Sequence, residues 1–160
     1  MAEMNTTGMR LTYLALAIAL FGVAIHLGAV VGGESWYAFF GAPAAVVESA
    51  RAGTWLAPVS AMVIAGLMAI CAAYACSVLG LIRRLPLLRP GLASIAAVCL
   101  VRALALVPLA FSHPELRNAF EIIAAIVWGL AGVGFAAGFL ASRQPSALSP
   151  DLSIKRMSGA

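Results

Sequence analysis

Between Pro90 and Phe111 the chain carries a single charged residue, Arg102, near the middle of an otherwise apolar run. As a helix rising about 1.5 Å per residue, the run can cross a hydrocarbon core about 30 Å thick. A cation at that depth costs about 2.5–3.5 kcal/mol on insertion scales. A group inside the protein therefore has to accept hydrogen bonds from Arg102, and other helices have to surround it.

The rest of the 160-residue chain supplies those helices. Hydrophobic residues make up 63% and charged residues 10%, against about 25% charge in a soluble domain. The polar residues fall in short blocks between long apolar runs, which predict spans over 11–32, 55–82, 90–111 and 121–142. Backbone groups in lipid must bond to one another, so the spans are helical. The fold class is all-α, an integral-membrane antiparallel four-helix bundle. Residues 1–10 form a polar lead, 33–54 an outer loop, and 143–160 a flexible tail rich in serine and proline. The apolar run from Leu11 to Val31 exceeds the roughly 7–15 residues of a signal-peptide core, so it reads as an uncleaved first span.

Loop charge sets the expected orientation. The turn between spans two and three holds Arg83, Arg84 and Arg89 and no acid. The positive-inside bias puts that turn and both termini in the cytoplasm. The basic residues thus read as topology rather than as a nucleic-acid surface.

The outer loop is dense in aromatics: Trp36, Tyr37, Phe39 and Phe40, with Trp55 at the head of span two. They read as an interfacial belt, or as a lid over the outer mouth of the bundle. Pro43 opens and Gly53 closes a short helix that sets Glu48 and Arg51 at an i,i+3 spacing. Ser112-His113-Pro114-Glu115 matches a capping box, so helix four is expected to begin near His113.

Small residues mark close helix approach. Span two has Ala61, Ala65, Ala69, Ala73 and Ser77 at four-residue intervals. Span four has Gly134, Gly138 and Ser142. Span one has Ala15, Ala19, Gly22, His26, Ala29 and Gly33, with Gly28 and Gly32 on a neighbouring face. The same stripes can serve a homo-oligomer or a partner membrane protein.

His26 lies roughly 9 Å, and Arg102 roughly 13 Å, below the outer ends of their spans. No acid occurs within a span, and Glu121 at the top of span four is the nearest partner for Arg102. The candidate ligand-binding set is His26, Arg102, Glu121, Glu48, Trp36 and Trp55. An arginine fork suits a carboxylate or phosphate. No nucleophile–base pair stands out, so no catalytic residue is assigned. No metal-ligand spacing occurs, and the two histidines, His26 and His113, differ in depth, which disfavours haem b. Cys71, Cys76 and Cys99 read as buried inert thiols.

The Trp36–Pro43 stretch (Trp-Tyr-Ala-Phe-Phe-Gly-Ala-Pro) and the Arg84–Arg89 turn (Arg-Leu-Pro-Leu-Leu-Arg) resemble those of small, uncharacterised four-transmembrane-helix inner-membrane proteins of Gram-negative bacteria. In coarse architecture the chain is also similar to DoxX-like four-helix proteins. The resemblance implies a bacterial inner-membrane location and supplies no catalytic residue. Taken together, the residues point to a non-enzymatic protein of the lipid bilayer. It would bind a lipid or small amphiphile at His26 and Arg102, or serve as an accessory subunit. The alternatives are a quinone-linked redox enzyme and an oligomeric solute transporter.

Overall fold

A computed structural model describes residues 5–114 and 117–142. The expectations for residues 1–4, for Glu115 and for the tail from Arg143 lie outside them. Six helices run along the described residues: α1 (Thr6–Gly32), α2 (Glu34–Phe39), α3 (Ala44–Arg51), α4 (Leu56–Val78), α5 (Leu88–Ser112) and α6 (Ala119–Ala141). Of these, α1, α4, α5 and α6 are long and apolar enough to cross a membrane. That is the layout of a multi-pass membrane protein, as the hydropathy pattern predicts.

Helix ends follow local chemistry. Asn5 caps α1, its side chain accepting from the Gly8 N–H at 2.7 Å. The first helix therefore starts five residues before the expected span. The last long helix does not begin near His113. Ser112 closes α5 instead, and α6 starts at Ala119, with the Asn118 side chain accepting from the Glu121 N–H at 3.0 Å. The reason is Pro114, which disfavours helical backbone in the residue before it. His113 is accordingly extended, at φ −132° and ψ 86°. Arg117 then donates from Nε to the Ala110 carbonyl at 2.7 Å, serving the end of α5.

Helix α1 packs broadly against α4 and α6, and α5 packs against α6, while α4 touches α5 and α6 much less. Close approach rests on glycine where predicted in α6. A Cβ on Gly134 would strike the Leu11 carbonyl and lie 2.7 Å from the Ala15 Cβ, and one on Gly138 would lie 3.2 Å from Val78. Thr12 on α1 is fully buried there, its hydroxyl donating to the Gly8 carbonyl at 2.9 Å and lying 3.4 Å from that of Gly134.

The expected α4 stripe is only partly used. Ala61, Ala65 and Ser77 are buried, Ala69 is exposed, and burial passes instead through Ala57, Ala72 and Ala75. Four residues turn a helix about 40° past a full turn, so the stripe has drifted off the contact face by Ala69, and Ser77 is buried instead under the turn that follows, accepting from the Leu85 N–H at 2.9 Å. The Gly28–Gly32 notch takes the Trp36 indole rather than another helix; a Cβ on Gly28 would lie 2.8 Å from its Cζ3.

Two clusters hold the molecule. The larger joins Ala15, Leu16 and Ala19 with Ala72, Ala75, Leu88, Leu92, Ala96, Cys99, Ala131 and Phe135, near the α4–α5 turn. The smaller joins Ala29, Tyr37, Ala57 and Ala61 under α2 and α3.

Candidate functional site

Between the two clusters lies a cavity of about 960 Å³. Its walls reach both of them, from Phe135, Ala131 and Cys99 at one end to Ala61, Ala29 and Tyr37 at the other. Phe21, Ile64, Phe120 and Ile123 line it while remaining exposed, so it is a cleft open at the side rather than a sealed void. A volume near the top of the roughly 300–1,000 Å³ of ligand pockets suits an extended apolar molecule.

Three of the six candidate site residues meet in this cleft: His26, Arg102 and Glu121. His26 sits on α1 with its Nδ1 2.8 Å from the Gly22 carbonyl one turn back. A carbonyl only accepts, so Nδ1 carries the proton and Nε2 of the neutral ring is an acceptor. Arg102 comes from α5 and Glu121 from the first turn of α6. Their closest atoms, Nη2 and Oε2, are 3.5 Å apart, at the long limit of a hydrogen bond. The Arg102 side chain is 44% exposed and that of Glu121 21%. Among the described residues the guanidinium thus has a single long contact, to a carboxylate, and it carries further N–H groups.

The other three candidates lie off the cleft. Glu48 is engaged with Arg51 at 3.3 Å. Trp36 packs in the glycine notch of α1 and against Phe40, with ring centroids 5.8 Å apart. Trp55, the residue before α4, is 72% exposed. His113 ends α5 and is also absent from the cleft wall. No group of three or more His, Cys, Asp or Glu side chains suited to a metal occurs among the described residues.

The α2–α3 segment forms the cap of the cleft, contributing Tyr37, Phe40, Gly41, Ala42, Pro43 and Val46 to its wall. Gly41, at φ +70°, runs so close to α6 that a Cβ there would lie 2.9 Å from the Phe120 ring. One contact closes the cap on itself and another fastens it to α4. Arg51 reaches back to Glu34 at 2.6 Å, and the Ser49 hydroxyl accepts from the Ala57 N–H at 3.0 Å. The guanidinium beside Glu34 holds its carboxyl below the usual carboxylate value.

Sequence reasoning did not single out Tyr37. Its residue is 7% exposed, and its hydroxyl is buried without a hydrogen-bond partner among the described residues. An unmet buried hydroxyl costs about 1–3 kcal/mol. Burial also pushes the phenol above its ordinary value of 10, so it stays a neutral donor. The available signal was its place in the aromatic run, but adjacent residues on a helix point about 100° apart. Nothing local says whether Trp36, Tyr37 or Phe39 turns inward.

No family model, curated protein or solved structure matches this chain. The likeness to inner-membrane and DoxX-like four-helix proteins therefore rests on the two short stretches and the four-span layout alone.

Proposed function

We propose that this chain is a non-enzymatic multi-pass protein of the bacterial inner membrane that holds a lipid or small amphiphile in the cleft beneath α2 and α3. The four long helices would form an antiparallel bundle with both termini in the cytoplasm. The uncompensated arginines of the α4–α5 turn support that orientation. The observation that carries the binding reading is an apolar-walled cleft of about 960 Å³ that gathers His26, Arg102 and Glu121. Long apolar walls suit a hydrocarbon chain, and a few converging polar groups suit a head. An ionisable side chain inside a span is expensive to keep there and marks a site of use.

Native mass spectrometry of protein released from mild detergent tests the reading. The expected species carries a defined extra mass that Arg102→Leu removes. A bare protein with only heterogeneous lipid would overturn it and leave an accessory-subunit role, to be pursued through a partner protein. A retained quinone would move the reading to redox chemistry.

A further inference from the structure

Away from the cap, a second recess of about 310 Å³ lies where the α4–α5 turn meets the start of α5 and the end of α6. Arg84 and Arg89 border it, together with Leu85, Leu87 and Leu88 and, from the end of α6, Ser142. Among the described residues neither arginine has an ion-pair partner, since the ion pairs belong to Arg51 and Arg102. The described carboxylates, Glu34, Glu48 and Glu121, all lie in the cap or the cleft. The Ser142 hydroxyl is engaged, donating to the Phe139 carbonyl at 2.7 Å. The side chains of the recess therefore offer two guanidinium groups and apolar carbon. Leu87, between the arginines, is the only described non-glycine residue at positive φ, 55°. Left-handed backbone is costly for a leucine. Its side chain is 76% exposed, so packing within the described protein does not account for an apolar residue there.

Membrane orientation needs only positive charge somewhere in the turn, and Arg83 supplies it without bordering the recess. Two unpaired guanidinium groups on one recess do more, because their planar forks match phosphate oxygens. The recess sits at the ends of helices long enough to cross a membrane, the level of lipid headgroups. Basic pockets between such helices take anionic headgroups. If a cavity of about 150 Å³ holds one benzene, 310 Å³ holds roughly a dozen non-hydrogen atoms, the size of a glycerophosphate head without its chains. We infer that this recess binds the phosphate of an anionic phospholipid, held by Arg84 and Arg89, with the exposed Leu87 against the first part of an acyl chain. The site is separate from the cleft and does not depend on what the cleft holds.

Delipidated full-length protein in mild detergent, titrated with phosphatidylglycerol and read by native mass spectrometry, tests the site. Arg84→Gln and Arg89→Gln should each weaken phosphatidylglycerol binding about tenfold. Arg83→Gln removes the same charge from the same turn and should weaken it by less than about threefold. All three side chains are exposed, so the substitutions leave the helix packing in place. The pattern should persist in a chain that also carries Arg102→Leu, and phosphatidylcholine should bind about tenfold more weakly than phosphatidylglycerol. Equal losses in the three glutamine variants overturn the recess in favour of the overall charge of the turn. Binding that Arg102→Leu abolishes and the three variants leave intact places the lipid in the cleft and overturns the second site. Equal binding of phosphatidylcholine overturns the anionic headgroup. Glycerol 3-phosphate that displaces the lipid at a lower concentration than the lipid's own overturns the lipid source and leaves a free phosphate ester as the ligand.

Discussion

A missing side chain decides the tightest contact in the molecule. At Gly134 an added methyl meets the backbone carbonyl of Leu11 and the Cβ of Ala15, and neither can turn aside. Gly134→Ala should lose about 1–3 kcal/mol from overpacking, even though alanine is the better helix former. Gly66, also in a long helix, meets nothing within 4 Å. Gly66→Ala should therefore leave stability unchanged or raise it by up to about 1 kcal/mol. Thermal unfolding of the two variants in one detergent compares them directly, and equal effects would dismiss the close approach of α1 and α6. Rare polar residues were legible at this scale: His26, Arg102 and Glu121 stand out against apolar neighbours, and all three line the cleft. The i,i+3 spacing of Glu48 and Arg51 was legible too, and it does pair them. The shorter contact comes from Glu34, seventeen residues away, which no local rule reveals.

At the level of elements, the α2–α3 cap depends on two small ties. Ser49→Ala leaves the N–H of Ala57, a fully buried residue, without its side-chain acceptor. The expected loss is about 1–3 kcal/mol, read as faster hydrogen exchange through α3 and the start of α4. The second tie depends on pH. The Glu34 carboxyl titrates below its ordinary value of 4.5 because Arg51 stabilises the charged form. Its contribution is complete above that ordinary value and disappears as pH falls through the lowered one. Proteolysis within residues 34–54 should accelerate over that acid interval, and Glu34→Gln should abolish the pH dependence. Both side chains are exposed, so added salt should weaken the effect. Pro43 and Gly53 announced α3 in the sequence, whereas the aromatic run did not announce α2, whose six residues carry no periodic pattern long enough to read.

For the whole molecule, the long helices were legible because lipid allows few alternatives to an apolar run of that length. Their lateral neighbours were less so. Small residues abound in every span, and only the drift of helical phase decides which of them touch, as Ala69 and Ala72 illustrate. The proposed orientation has its own check. A membrane-impermeant thiol reagent on intact cells should label Gly53→Cys and spare Arg84→Cys until the membrane is opened. The reverse pattern would invert the topology. The uneven packing carries a further consequence. Phe135, Leu92 and Ala75 pack the helices near one end, while the cleft opens between the two clusters and α2–α3 covers its far end. The arrangement is that of tongs: a fulcrum at one end, jaws at the other, and α2–α3 as the clasp across the tips. A guest laid along the cleft would therefore meet fixed helix packing at one end and the two-helix clasp at the other.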